Sequence, residues 1–297
     1  MAVNIDALAT EKRNEKTLNL DLLSTGEILE IMNQEDLNVV AAVKSALPAI
    51  EALVQQTIMA YKNGGRIIYV GAGTSGRLGL MDAVEVVPTF NSDRFVGLIA
   101  GGQGAFVKAV EGAEDSKQLC VDDLKGLDLN EKDFVIGIAA SGRTPYVIGG
   151  LDYAKEVGCL TGCVCCNVNT EIGKHCDYPI ELTAGPEVIT GSTRLKSGSC
   201  QKIVLNMIST ATMIGVGKVY GNLMVDVKAT NEKLIERCHH IVMEATGCSH
   251  DEAGQALSAS NNDCRKAILM VLLNIDAQQA EEKLNQADGN VRKALEK

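Results

Sequence analysis

The stretch from Arg66 to Glu85 constrains the fold more than any other. Arg66-Ile-Ile-Tyr-Val70 is a short apolar run that leads directly into Gly71-Ala-Gly-Thr-Ser-Gly-Arg-Leu-Gly-Leu-Met-Asp-Ala-Val-Glu85. The run reads as a buried strand and its amphipathic continuation as a helix. A strand, a Gly/Ser/Thr turn and a helix in succession form a cradle for an anion. Small residues let the backbone approach, and the first turn of the helix aims unpaired N–H groups at the ligand.

The same alternation recurs along the chain. Strand-like runs at 67–70, 95–100, 134–140, 160–166 and 178–182 are separated by helical patterns. Such alternation predicts an α/β protein, a parallel sheet flanked by helices as a three-layer sandwich. Residues 1–20 are polar and expected to be extended. Residues 24–63 carry a helical pattern that Gly64-Gly65 stops, and a long helix is expected over 196–216. The C-terminal part is helical throughout and repeats itself weakly: Leu257 corresponds to Leu284, and Arg265-Lys266-Ala267 to Arg292-Lys293-Ala294. Each copy is too small to bury its own apolar face, so the copies must pack together. Three regions follow: 1–54, an extended segment and helices; 55–229, the α/β domain; 230–297, a small all-helical subdomain for packing and dimerisation.

Composition excludes several classes of function. The net charge is −10, aromatic residues make up 3% and tryptophan is absent. A nucleic-acid platform would need a basic footprint and stacking rings. The start of the chain lacks a basic region followed by an apolar core, and no apolar run reads as a membrane span. The expectation is a cytoplasmic protein with no membrane partner, its ten cysteines reduced. The group Cys159, Cys163, Cys165, Cys166, His175 and Cys176 is the one place where a metal is worth weighing. Its spacing is not a pair of C-x-x-C units, and Cys165 and Cys166 fall within a strand-like run, so buried thiols are the favoured reading.

Gly71-x-Gly73-x-x-Gly76 formally matches a dinucleotide fingerprint, but two details argue against one. The variable positions are the hydroxyls Thr74 and Ser75, and no acidic residue ends the next strand to take a ribose hydroxyl. A second turn, Ser141-Gly-Arg-Thr-Pro-Tyr146, follows the third strand, and Pro145 is placed to begin a helix. A third, Thr190-Gly-Ser-Thr-Arg-Leu-Lys-Ser-Gly198, precedes the long helix. One such turn is an ordinary capped helix. Three of them predict a convergent anion site.

Several segments together resemble the N-acetylmuramic acid 6-phosphate etherase family, which has the phosphosugar-isomerase-type (SIS) fold. They are Gly71–Gly79, Ala109-Val-Glu-Gly-Ala-Glu-Asp115, Ala139-Ala-Ser-Gly-Arg-Thr-Pro-Tyr146, Gly191-Ser-Thr-Arg-Leu-Lys196 and Gly221-Asn-Leu-Met-Val-Asp226. The resemblance extends to Thr10-Glu-Lys-Arg-Asn14, Glu27-Ile-Leu-Glu-Ile-Met-Asn33, Thr230-Asn-Glu-Lys-Leu234 and the helical C-terminus.

The resemblance implies a carbon–oxygen lyase that needs no cofactor or metal. Its substrate is a phosphorylated amino sugar in open-chain form. A base removes the C2 proton, D-lactate leaves from C3, and water adds to the unsaturated intermediate. The two family glutamates correspond to Glu85, the proton donor, and Glu114, the C2 base. Thr74, Ser75, Ser141, Thr144 and Ser192 are the expected phosphate and sugar contacts, with Glu187 and Lys196 as weaker candidates. An acid and a base in one pocket need different environments, and the apolar neighbours of Glu85 are expected to supply one. The family has a small polar residue before this glutamate and Cys-Pro-Pro after it, whereas this chain reads Val84-Glu85-Val86-Val87-Pro88.

If residues 75–85 form one continuous helix, Glu85 lies about 15 Å from the anion-binding end. An open-chain hexose does not reach that far, so either the helix bends or Glu85 serves a neighbouring subunit. The expectation is a homodimer with shared active sites. The alternatives are a non-enzymatic phosphosugar sensor of the same fold, which needs the hydroxyl turns but not both carboxylates, and an aldose–ketose isomerase, which releases no lactate.

Overall fold

The computed structural model describes residues 8–227 and 232–296. The boundary expected at 229/230 and the motif residues Thr230 and Asn231 lie outside the described residues, as do residues 1–7.

The apolar runs form strands within a residue or so of their expected limits. They are β1 (Ile67–Gly71), β2 (Phe95–Ile99), β3 (Phe134–Ala139), β4 (Leu160–Cys165) and β5 (Tyr178–Glu181). All pair in parallel in the order β2-β1-β3-β4-β5, with Gly71 opposite Ile99 on one side and Ile138 on the other. β1 and β3 are buried along their whole length, as expected of central strands covered on both faces.

The helices are α1 (Thr25–Lys62), α2 (Gly73–Phe90), the short α3 (Gly104–Val107), α4 (Lys117–Gly126), α5 (Pro145–Val157), the short α6 (Glu171–Lys174) and α7 (Lys196–Gly215). One face of the sheet, with Ile68, Val70 and Val135, packs against Val147 and Leu151 of α5 and Leu124 of α4. The opposite face, with Tyr69, Phe134 and Ile138, receives α1 and α2. Gly79 of α2 rests against Tyr69 and Ile138, and Leu53 of α1 lies over Gly162. The alternation of side chains along each strand therefore builds the three layers.

Two readings need correction. Residues 9–22 are not extended but fold into three short 3-10 turns, Ala9–Glu11, Glu15–Thr17 and Leu20–Leu22. Helix α1 is long and apolar enough, by length and composition alone, to cross a membrane. Its stripe of Val39, Val43, Ile50 and Leu53 is buried, and the helix packs on β1, β3 and β5, as a core helix does.

The chain divides into two compact units. The first contains the sheet and the described residues up to Val84 with Arg94–Ser209; the second contains Glu85–Asp93 and the chain from Thr210 on. The second unit holds the small antiparallel pair β6 (Val219–Tyr220) and β7 (Leu223–Met224). It continues with α8 (Glu232–Thr246), α9 (His250–Ala259), α10 (Cys264–Leu273), α11 (Ala277–Gln286) and α12 (Val291–Glu296). Its core joins both copies of the repeat: Leu257, Ala267 and Ile268 from one, Leu284, Val291 and Ala294 from the other.

Candidate active site

Because the chain leaves β1 towards β2 on one side and leaves β3 towards β4 on the other, a crevice forms beyond the carboxyl ends of β1 and β3. The first two hydroxyl turns sit there. In the first, strand end and helix start meet at glycines: a Cβ on Gly76 would lie 2.7 Å from the Gly71 oxygen. Thr74 is half-buried and Ser75 is buried on the first turn of α2, whose N–H groups have no intrahelical acceptors. The Ser75 hydroxyl donates to Gln201 Oε1 at 2.9 Å. Gln201 Nε2 is buried without a partner.

The second turn is fixed by Gly142 at φ +71°, where a Cβ would lie 2.4 Å from Thr170 Cγ2. Thr144 stands at the N-cap of α5 with Pro145 behind it, yet its side chain makes no capping hydrogen bond. That leaves the hydroxyl and the first-turn N–H groups for a ligand. Asn167 holds the turn from below, donating through Nδ2 to Ala140 O at 3.2 Å, Ser141 O at 3.5 Å and Thr10 Oγ1 at 3.1 Å.

The third turn ends at α7. Ser192 is half-buried in it. Thr74 approaches the start of α7, its Cγ2 standing 3.6 Å from where a Cβ on Gly198 would be. Glu187 and Lys196 are already engaged. The buried Glu187 carboxylate accepts from Lys196 N and Ser197 N at 2.9 Å and from Ser197 Oγ at 2.8 Å, which caps α7. Lys196 Nζ donates to Glu35 Oε2 at 2.6 Å, and Glu35 also accepts from Asn14 Nδ2 at 2.8 Å and Lys16 Nζ at 2.9 Å. Burial raises the Glu35 carboxyl, but the hydrogen bonds from Lys196, Lys16 and Asn14 outweigh it and lower it to about 2.

Glu114 is exposed on a 3-10 turn entered through Gly112 at φ +76°. It lines a cavity of about 240 Å³ together with Glu111, Gly112 and the first-turn residues Ala72, Gly73 and Arg77. The Arg77 guanidinium donates to Phe106 O at 2.8 Å and Ala105 O at 2.7 Å, anchoring α3.

Glu85 belongs to the second unit. Helix α2 is unbroken through it, the condition on which the shared-site expectation rests. Glu85 is exposed, and so are Val84 at 59% and Val87 at 40%. The expected apolar collar is therefore not closed within one chain. Helical spacing turns Ala83, Val86 and Phe90 inward and leaves Val84, Glu85 and Val87 facing out.

The cysteine group consists of buried thiols. Cys159 donates to Asn130 O at 3.0 Å and Cys166 to Ser197 O at 3.5 Å, while Cys163 and Cys165 approach to 3.8 Å. Burial pushes the Cys159 thiol up to about 12. His175 pairs through Nδ1 with Asp152. Among the described residues, no three of these groups gather their ligand atoms as a metal needs.

Sequence reasoning missed Asn167, Gln201 and Glu35. The position of Asn167, just past the end of β4 at the same edge as the hydroxyl turns, is a usable signal. Gln201 and Glu35 are polar residues within long helices and carry none.

Fold and turns together define a SIS-domain protein. Residues 49–155 match the family described as the glucokinase regulatory protein N-terminal SIS domain, and residues 122–214 the SIS domain. A phosphoheptose isomerase from Francisella tularensis shares the fold at TM-score 0.51 and 15% identity, over 65% of this chain and 100% of that one. One from Neisseria gonorrhoeae does so at TM-score 0.50 and 14% identity, over 64% and 99%.

Similarity over the full length is more specific. An N-acetylmuramic acid 6-phosphate etherase of Bacillus cereus is 56% identical over 98% of this chain and 100% of its own length. One of an Exiguobacterium species is 54% identical over the same shares. The chain belongs to the N-acetylmuramic acid 6-phosphate etherase family.

Proposed function

We propose that this chain cleaves the D-lactyl ether at C3 of N-acetylmuramic acid 6-phosphate, giving N-acetylglucosamine 6-phosphate and D-lactate in amino sugar catabolism or cell-wall recycling. Family membership gives the reaction class, a carbon–oxygen lyase acting on a phosphosugar. The observation that carries the assignment to these residues is the cavity that Glu114 shares with the first turn of α2.

In this reading, Thr74, Ser75, Ser141, Thr144 and Ser192 hold the phosphate and sugar hydroxyls. Glu114 takes the C2 proton of the open-chain sugar, which the C1 aldehyde acidifies. The electron pair forms the C2=C3 double bond as the C3–O bond breaks, and Glu85 protonates the departing lactate oxygen. Water then adds its oxygen to C3, and C2 regains a proton.

The exposure of Glu85 among Met81, Val84 and Val87 supports a homodimer in which Glu85 completes the partner's site. The ten cysteines, all free thiols, support a reducing, cytoplasmic setting.

The match to a domain named for a regulatory protein keeps a phosphosugar sensor as the second reading. Incubation with N-acetylmuramic acid 6-phosphate in ¹⁸O-water separates the two. The etherase releases lactate and leaves label at C3 of the sugar. Binding of the phosphosugar without lactate release would make the protein a sensor.

A further inference from the structure

We infer that the helical unit carries a binding site for a zinc-type transition-metal ion, formed by Glu236, His239 and His250. Three of the four histidines in the chain, His239, His240 and His250, are gathered on α8 and α9. Glu236 and His239 are three residues apart on α8 and so share a face. His250 is the first residue of α9, fixed there by the capping box in which Ser249 and Glu252 exchange hydrogen bonds. The ligand atoms of Glu236, His239 and His250 all lie within 4.8 Å of one another.

Three features point to a cation rather than a chance meeting. His250 Nε2 lies 3.4 Å from Glu236 Oε1, about the separation of two ligands that each sit ~2.1 Å from a tetrahedral zinc. The His239 and His250 rings are 4.4 Å apart between centroids, and both stand beside one carboxylate. His239 Nδ1 is buried with no hydrogen-bond partner, one of two such side-chain atoms among the described residues. A cation bound through Nδ1 would satisfy it. Gly254, one turn after His250, leaves the space the ring occupies, since a Cβ there would lie 3.1 Å from His239 Cε1.

Two imidazoles and a carboxylate form a borderline-soft donor set that suits zinc over magnesium or calcium and leaves a coordination position open. The bound ion would staple α8 to the start of α9 and takes no part in the ether cleavage. His240 reaches Glu236 Oε1 as well, at 3.3 Å, but does not share the common centre of the other three. It is the comparison for a residue that touches a ligand without being one. Among the described residues Cys248 is the only cysteine not buried, and it serves as the control for adventitious thiol binding.

The test is calorimetric titration of the full chain, stripped with a chelator, with Zn²⁺ at neutral pH. The expected result is one ion per chain. His250→Ala, at an exposed position, and His239→Ala should each weaken binding by about 100-fold or more. Cys248→Ser should leave it unchanged, and His240→Ala, which removes only a contact to the ligating carboxylate, should weaken it less than either ligand variant. Absence of Zn²⁺ binding by the wild type, wild-type affinity in His250→Ala, or loss of binding in Cys248→Ser would each overturn the assignment.

Discussion

Replacement of Glu35 by glutamine tests whether the start of α7 is held by a buried ion pair. Glu35 is 4% exposed and Lys196 is 1% exposed. Their carboxylate and ammonium meet at 2.6 Å, and Lys16 and Asn14 complete the shell around the carboxylate. The carboxyl, ordinarily at 4.5, is lowered to about 2 by these partners. That difference corresponds to about 3 kcal/mol of folding stability. Because the folded value is depressed, the contribution is complete above pH 4.5 and is lost as pH falls through about 2.

In Glu35→Gln the Lys196 ammonium stays buried without its counter-charge, and leaving one member of such a pair costs about 3–5 kcal/mol. Urea unfolding followed by far-UV circular dichroism is the assay, since the chain has no tryptophan to report by fluorescence. At pH 7 the variant should be less stable by that amount, and the gap to wild type should narrow steadily between pH 5 and pH 2. Glu35→Gln combined with Lys196→Met removes both charges and should recover most of the loss. A Glu35→Gln protein within about 1 kcal/mol of wild type at pH 7, or a deficit unchanged at low pH, would refute the reasoning.

Glu114→Gln should lower lactate release by about 10²–10⁴-fold while phosphosugar binding, measured by calorimetry, stays near wild type. Glu85→Gln and Glu114→Gln should each be inactive alone. Mixed and reassociated at equal amounts, they should regain about a quarter of wild-type activity, because half the dimers are hybrids with one intact shared site. No recovery in verified hybrids would mean that each subunit supplies both carboxylates to its own site. Gly142→Ala should cost more than about 1 kcal/mol by thermal unfolding and raise the KM for the phosphosugar. Its φ of +71° and the Thr170 methyl 2.4 Å away leave no relaxed place for a Cβ.

The strands and the hydroxyl turns were legible because local chemistry dictates them. Continuous apolar runs such as Phe134–Ala139 specify strands buried on both faces, and Gly71, Gly76 and Gly142 stand where only glycine fits. The repeat was legible because Leu257 and Leu284 occupy like positions in one core. What stayed hidden was long-range pairing. Nothing local in Glu35 announces a lysine 161 residues away, or in Asn167 a threonine 157 residues away. The segment around residues 9–22 has no period to read, because its 3-10 turns are shaped by contacts such as Thr17 Oγ1 with Val188 O at 2.9 Å. Glu187 and Lys196 read as ligand contacts because a carboxylate and an ammonium beside a hydroxyl turn suit either a ligand or a scaffold. Only their partners tell which.

That distinction explains how the site is built. Each of the three hydroxyl turns is held by a buried polar side chain from outside its own motif: Gln201 behind Ser75, Asn167 beneath Ser141, and Glu187 at the head of α7. The N-terminal segment then links one of these holders to the third turn, with Thr10 on Asn167 and Asn14 on Glu35, which in turn grips Lys196 at the start of α7. A hydroxyl on a free loop would lose affinity to the entropy of ordering it, whereas these turns are ordered before any sugar arrives. On the proposed function, the N-terminal segment acts as a brace for these turns. Thr10→Val, which removes one of the three acceptors of Asn167 Nδ2 at nearly constant volume, should raise KM for the phosphosugar more than it lowers kcat. An equal fall in kcat with KM unchanged would place Thr10 in the chemical step and end this account of the segment as a brace.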